Sequence, residues 1–305
     1  GVQNIYTTVD GGLYELGADA FQFSTENKNL ELKGLSFVPT VGRYEYALHK
    51  GFQKDVFNIN LKELRVQDLD YSSLLYSKKI RGGVLDVIRP SIAILKDKRI
   101  PVPPYQYKAI IPEKFKQLPL SITMDSIMVA QARIHYEEFP EKGRNPGNIL
   151  LTHMDIKATN VTNDTAQLRI DSTLRITMAS RFLDTSDLTL YLEYDMLSPI
   201  NAFKMSSTLG AFDATLINRY VEPVYSATIN SGMVSRMDMS VIGNDSIAGG
   251  KMGLYYEDFK FTFLNEVTHE NKGFSTKLRS VIGNTIIKSK NKYHPFKRRE
   301  PLYFE

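Results

Sequence analysis

Phe57-Asn-Ile-Asn-Leu-Lys-Glu-Leu-Arg-Val-Gln-Asp-Leu-Asp70 alternates apolar and polar residues and then misses a beat. Phe57, Ile59 and Leu61 keep one phase, whereas Leu64 and Val66 keep the other. A period of two marks a strand with one buried face, because successive side chains point to opposite faces of a sheet. A one-residue slip turns the apolar set outward unless the backbone absorbs it, so a bulge or bend is predicted near Lys62–Glu63. The pattern returns further along. Leu120, Ile122, Met124, Ile127, Val129 and Ala132 stand at the spacing of Phe57, Ile59, Leu61, Leu64, Val66 and Leu69, slip included.

Neighbouring stretches carry the same defect. Leu30 and Leu32 slip against Leu35 and Phe37. Leu85 and Val87 slip against Ile92 and Ile94, with Pro90 at the break, where a missing N–H costs least. Ile149, Leu151, Ile156 and Ala158 repeat that spacing. Two strands without the slip are expected from Leu168, Ile170, Leu174, Ile176 and Met178, and from Leu188, Leu190, Leu192 and Tyr194. Thr228–Ile242 and Lys251–Phe263 read as strands joined through a turn at Gly243-Asn-Asp and Gly249-Gly250, and Val281–Lys288 as a last strand. Residues 42–54 read as a connector or short edge strand and Tyr71–Lys79 as a polar break. Residues 96–118, with Pro101, Pro103, Pro104 and Pro112, read as an extended loop. One helix is predicted, over 203–221, where Met205, Leu209, Phe212, Leu216 and Tyr220 recur at three- and four-residue spacing before Glu222-Pro223.

These readings give a mainly β fold, an elongated antiparallel β-sheet of repeated bent strands, with a β-sandwich as the fallback and one short amphipathic helix near 203–221. A single domain is expected over 1–271, built of units at about 13–38, 57–95, 120–159 and 166–265, followed by a basic strand or tail over 272–305.

Composition excludes several functions. The 305 residues are 42% hydrophobic and 24% charged, as in a folded globular protein. No cysteine is present, which removes thiol catalysis and Cys-based zinc sites. Of the net charge of +4, the segment from Lys272 to Glu305 carries +7, so the preceding body carries −3. A basic tail on a balanced body argues against a nucleic-acid partner, which wants a basic face on the folded domain. Lys288, Lys290, Lys292, Lys297, Arg298 and Arg299 either contact an anionic membrane surface or form a solvated tail. The first residue is Gly rather than Met, read as a trimmed N-terminus with any anchor lying outside this sequence.

Catalytic motifs are not found. His49, His135, His153, His269 and His294 do not have the spacing of a helical zinc site, and no Gly-x-Ser-x-Gly elbow occurs. His153 reads as a solvated side chain on the polar face of a strand. Gly249-Gly-Lys-Met-Gly lacks the earlier Gly and the Ser or Thr of a phosphate loop. Asp125, Asp155, Asp171, Glu193, Asp195 and Asp238 fall singly on strands; a facing pair of them would suit a glycan-processing enzyme. No catalytic residue, metal ligand or cofactor is assigned.

Leu209-Gly-Ala-Phe-Asp-Ala-Thr-Leu-Ile-Asn-Arg-Tyr-Val-Glu-Pro223 resembles the helical segment near the C-terminus of AsmA-like proteins of Gram-negative bacteria. Ile229-Asn-Ser-Gly-Met-Val-Ser-Arg-Met-Asp-Met-Ser240 and Gly250-Lys-Met-Gly-Leu-Tyr-Tyr-Glu-Asp-Phe-Lys-Phe261 resemble the strands that follow it. The earlier units are similar to that family in pattern only, and Arg219 follows Asn218 where the family usually has Pro. The resemblance implies an AsmA/TamB-related envelope protein whose elongated antiparallel β-sheet is curled into a groove. Its body would lie in the periplasm, held to the inner membrane by an N-terminal anchor, and would take part in lipid transport or outer-membrane maintenance.

The expected partner is therefore a phospholipid or other acyl lipid in an apolar β-groove lined by Ile59, Leu61, Ile122, Met124, Ile176 and Leu190. The chain is expected not to be an enzyme. A β-sandwich that recognises protein or glycan through its loops is the alternative, and a scaffold acting through exposed sheet edges a further one.

Overall fold

The structure, a computed structural model, describes residues 1–104, 109–264 and 291, and the backbone of 302–304. Its strands are β1 (Val2–Val9), β2 (Tyr14–Ser24), β3 (Asn29–Pro39), β4 (Val56–Val66), β5 (Lys79–Ile88), β6 (Ser91–Asp97), β7 (Ser121–Phe139) and β8 (Gly147–Thr162). They continue as β9 (Thr173–Phe182), β10 (Ser186–Asp195), β11 (Phe203–Leu209), β12 (Phe212–Asp213), β13 (Ala227–Gly243), β14 (Ala248–Phe263) and β15 (Leu302–Phe304). All belong to one large curled sheet, mostly antiparallel and laid down largely in chain order. No second sheet is present among the described residues, so the sandwich fallback is not the fold.

The one break in that order explains a sequence feature. β5 and β6 are a single path interrupted at Arg89-Pro90; both pair antiparallel with β4 and parallel with β7 in unchanged register. Pro90 sits in the interruption, as its missing N–H requires. The flanking groups are still paired, Arg89 N–H donating to Ala130 and Arg133 N–H to Pro90.

The phase slips fall into rows that cross the sheet. Flanking pairs place Asn4, Asp19, Gly34, Lys62 and Arg89 opposite one another on successive strands, with Gln131 beside Arg89. His153 of β8 follows, at a bulge where the register with both β7 and β9 shifts. Asn4, Gly34, Arg89, Gln131 and His153 all have left-handed backbone, with φ between 47° and 59°. A second row runs through Asp68, Gly83, Asp125 and Asn160, with Asp68 and Asn160 left-handed. The bend predicted at Lys62–Glu63 is thus a crease shared by neighbouring strands.

The second crease keeps the apolar set on one side. Val66 and Leu69, Met124 and Ile127, and Ala158 and Val161 each step three residues across it, and all six pack in one cluster. Tyr256 and Phe259 do the same around Asp258, φ 52°, in another. A left-handed residue, Asp68, Asn160 or Asp258, lies within three of these four steps; in a regular strand a three-residue step would send the second side chain to the opposite face.

Among the described residues five short helices lie at the ends of the trough: α1 (Glu45–Lys50), α2 (Tyr71–Ser77), α3 (Ile111–Lys116), α4 (Thr165–Leu168) and α5 (Asn218–Tyr225). Three correct the sequence expectations. α1 falls in the predicted connector at 42–54, α2 in the polar break and α3 in the Pro-rich loop; each spans only six or seven residues, too few for an apolar period to show. The predicted 203–221 helix is also corrected. Phe203–Leu209 is β11, paired on both sides by β10 and β13, and helix begins only at Ala214 with a 3-10 turn leading into α5. Leu168 belongs to α4 rather than β9, and Ile170 lies in the turn beyond it, 82% exposed. The last strand expected at 281–288 lies outside the described residues.

α5 shows how tightly the sheet curls. It touches β7 and β8 on one side and β13 on the other, although three strands separate β8 from β13 in the sheet. The Asn218 side chain fastens it to β13, donating to the Ile229 carbonyl and accepting from its N–H, both at 2.8 Å. On β8, a Cβ at Gly147 would lie 2.6 Å from Val224 Cγ2 and 2.9 Å from the Tyr220 carbonyl, so only glycine permits this contact.

Gly34 is the tightest point of the first crease. Its φ is 59°, and a Cβ there would lie 1.9 Å from Asp19 Oδ2. Left-handed backbone alone costs an L-residue about 1–2 kcal/mol. Gly34→Ala is therefore expected to lower unfolding free energy by about 2 kcal/mol or more, read by urea denaturation. Adding Asp19→Ala should recover part of the loss; an unchanged midpoint for Gly34→Ala would remove the crease as a constraint.

Candidate functional site

Register sets out the apolar face row by row. Leu30, Val66, Leu85, Ile127, Ala158, Ile176, Leu192, Met205 and Val241 are successive cross-strand neighbours from β3 to β13. The adjacent row runs Leu32, Leu64, Val87, Val129, Ile156, Met178, Leu190, Ser207 and Met239 over the same strands. In this second row Leu32, Leu64, Val87, Val129, Ile156, Met178 and Leu190 are half-buried, as are Leu30, Leu85, Ile127, Ile176, Leu192 and Met205 of the first.

The ends of this face are covered. Tyr71 of α2, Phe115 of α3, Leu168 of α4 and Met196 of the β10–β11 loop pack with Val66, Met124, Ala158 and Leu174 at one end. That cover is tied down by polar side chains. Asn163 accepts from Ile122 N–H at 2.7 Å and donates to the Leu120 and Phe115 carbonyls. Lys116 Nζ donates to Asn201 at 2.5 Å. Asp164 caps α4 through Ala166 N–H and pairs with Lys79 and Arg81 at 3.3 and 3.4 Å. The helix N–H, the largest influence, and the two cations hold its carboxyl below the usual aspartate value.

At the other end the chain closes with aromatic and charged groups. Tyr14 stacks on Phe37 with ring centroids 4.2 Å apart, and Tyr46 of α1 meets Tyr14 edge-on. The Arg99 guanidinium lies 3.6 Å from the Phe139 ring centre and pairs with buried Asp97 at 2.6 Å. Glu138 is buried, accepting from the Tyr136 hydroxyl at 2.7 Å and pairing with Lys98 at 2.5 Å. The Tyr220 hydroxyl of α5 lies 3.5 Å away. Burial, the largest influence, pushes the Glu138 carboxyl up, but Lys98 and Tyr136 outweigh it and hold it below the ordinary glutamate value.

The predicted lining residues divide among these regions. Ile122, Met124 and Ile176 belong to the covered cluster, Met124 being 5% exposed. Ile59 and Leu61 are half-buried on β4, with Ile59 between Phe37 and Ile92. Leu190 lies in the half-buried central row. Leu32, Leu64, Val87, Val129, Ile156 and Met178 share that row, a common register that shows only once the strands are paired. The six basic residues from Lys288 to Arg299 lie outside the described residues.

A separate hollow of about 750 Å³ touches three successive residues on each of five strands: 128–130, 155–157, 177–179, 189–191 and 206–208. On no strand does it reach the next residue in either direction. That pattern fits a trough between two rows of side chains, floored by the backbone of the middle residue. Its walls are Met128, Lys157, Thr177, Tyr191 and Ser206 on one side and Ala130, Asp155, Ala179, Thr189 and Thr208 on the other. Leu190 therefore contributes its backbone to this hollow, and its side chain to the apolar face opposite.

Five of the carboxylates considered for catalysis, Asp155, Asp171, Glu193, Asp195 and Asp238, are engaged in structure. Asp155 accepts from Gln131 N–H at 2.8 Å, Asp171 pairs with Arg175, and Asp238 holds Arg236 and Thr208. His153 is exposed, with its ring nitrogen 3.2 Å from the Thr152 hydroxyl, as its place on the polar face predicts. Among the described residues no cluster of three or more His, Asp or Glu has metal-binding geometry, and no helix is long and apolar enough to cross a membrane.

The Glu138 contacts have a pH signature. A carboxyl depressed by folding adds stability above its unfolded pKa, and that stability is lost as pH falls through the folded value. Glu138→Gln is expected to cost about 1–3 kcal/mol at neutral pH, with the gap to the parent narrowing as pH drops below the ordinary glutamate range. Urea denaturation across acid pH checks this; a pH-independent gap would assign the loss to packing alone. Comparison with the models of known protein families and with curated proteins finds no match for this chain.

Proposed function

We propose that this chain is a non-enzymatic lipid-handling protein whose curled sheet shelters acyl chains on its apolar face. One observation carries the reading: an apolar surface runs in register across the strands from β3 to β13, covered at its ends and half-buried along its central row. A continuous apolar surface left incompletely covered is a liability in water unless something occupies it. Acyl chains suit it because they need no hydrogen bonds, and the row offers almost none, Ser207 being its one hydroxyl. The resemblance of 209–261 to AsmA-like proteins supports the same reading and extends it to a periplasmic body, an inner-membrane anchor outside this sequence, and a part in outer-membrane maintenance.

The purified chain is expected to retain acyl lipid through chromatography, released by solvent extraction and identified by mass spectrometry, and to bind a fluorescent fatty acid. Met178→Glu and Leu190→Glu, which place charge in the central row, should each reduce binding at least tenfold. Thr177→Glu, on the opposite face, should leave it unchanged. Absence of lipid together with equal binding by all three variants would overturn the proposal.

A further inference from the structure

The end of the trough closed by α2, α3 and α4 is a rim of loops bonded to one another around the curl. Leu69 N–H donates to the Lys28 carbonyl and Asp70 N–H to the Arg81 carbonyl, both at 2.8 Å. The Asp164, Asn163 and Lys116 contacts carry the linkage on to the β10–β11 loop. There the Ile200 carbonyl accepts from Asp245 N–H at 3.0 Å, which ties in the β13–β14 turn. Loops held in this way keep their outward side chains in fixed places.

That rim carries most of the strongly exposed apolar side chains. Leu75 and Tyr76 of α2, Ile111 of α3, Ile170 beyond α4, and Ile242 and Ile247 around the β13–β14 turn are 61% to 87% exposed. Among the described residues, only Leu48 and Val102 exceed 60% at the opposite end. Single apolar residues are scattered over any protein surface, but a concentration of them at one end marks an interaction site.

Their arrangement points to the kind of partner. The six stand on separate elements, so a rigid protein surface would have to match them one by one. The fluid apolar layer of a membrane admits them all. Within three residues of Tyr76, Ile111 and Ile170 stand Lys78, Lys114 and Arg169, exposed and in no ion pair among the described residues. Carboxylates of the same loops are engaged inside the rim, Asp70 capping α2, Asp164 capping α4 and Asp245 accepting from Asn201. Long basic side chains lay their stems on apolar surface while their charges reach head groups, and anionic lipid attracts them. Tyr76 has the amphipathic ring that favours this boundary.

We propose that this rim docks the trough end-on to an anionic lipid bilayer, with the six apolar side chains immersed in the near leaflet. The docking rests on the rim and stands whether or not the apolar face carries lipid. Vesicles of phosphatidylethanolamine and phosphatidylglycerol should sediment the purified chain. Tyr76→Asp and Ile170→Asp should each weaken this by about tenfold or more, with circular dichroism unchanged, whereas Val102→Asp should not weaken it. Because the chain contains no cysteine, Ile170→Cys and Leu48→Cys each take a polarity-sensitive dye at one place. Vesicles should shift the dye at 170 to the blue and leave the dye at 48 unchanged. Met178→Glu, which should lose fatty-acid binding, should still sediment with vesicles; its failure to do so would assign vesicle capture to the trough and overturn the proposal. So would absence of sedimentation, equal sedimentation by Tyr76→Asp and Ile170→Asp, or an equal dye shift at 48. A dimer that Ile170→Asp dissolves would give the rim to a second copy instead, and would overturn it too.

Discussion

The bends of this sheet depend largely on left-handed residues placed at its creases. A long strand with one apolar face can bend only by breaking its pleat, and breaking the pleat normally turns the apolar set to the wrong side. Asp68, Asn160 and Asp258 each insert one left-handed residue between apolar side chains three apart, and both flanking side chains stay in one cluster. Asn and Asp are the non-glycine residues that visit this conformation most readily. Where the neighbouring strand comes too close for any side chain, as Asp19 does at residue 34, glycine is used. The bends therefore leave the hydrophobic pattern intact.

Curling follows from the size of the sheet. Open sheets beyond about ten strands rarely stay uncurled, and this one continues from β1 to β15 in a single hydrogen-bonded path. A sandwich would bury the apolar face against a second sheet. Here α5 bridges β8 and β13, and α2, α3 and α4 close the other end, but each helix is too short to cover the centre. The central row from Leu32 to Leu190 is left half-buried. At roughly 25 cal/mol per Å² of apolar surface, covering it would be favourable, and that unmet burial is the physical basis for expecting a ligand there.

Most of the strands were legible in the sequence because alternation survives in them, although β1 was not read as one, and the slips at Gly34, Lys62 and Pro90 mark the first crease. Phe203–Leu209 was not legible as a strand. Phe203, Met205 and Leu209 satisfy an alternating pattern, yet Met205, Leu209, Phe212 and Leu216 also satisfy a helical one, and the longer match prevailed. Pairing with β10 and β13 decides the matter, and no local pattern reports that. The central row was only partly foreseen, with Leu190 named and Ile156 and Met178 not, because strand register is a property of pairs. The hollow walled by Lys157 and Tyr191 lies among polar-face residues that a search for apolar lining passes over.

The sequence repeat also changes meaning once the creases are seen. Leu61 and Leu64 flank Lys62 on the first crease, whereas Met124 and Ile127, their counterparts, flank Asp125 on the second. β4 and β7 run in opposite directions, so β4 crosses the first crease before the second and β7 the reverse. The two crossings are six residues apart in both strands, Lys62 to Asp68 and Asp125 to Gln131. Gly83 and Arg89 keep the same spacing. A strand with two slips at this spacing fits the sheet in either direction, because the spacing reads the same both ways. The repeated feature is thus the distance between bends, and it lets parallel and antiparallel neighbours share one curved surface.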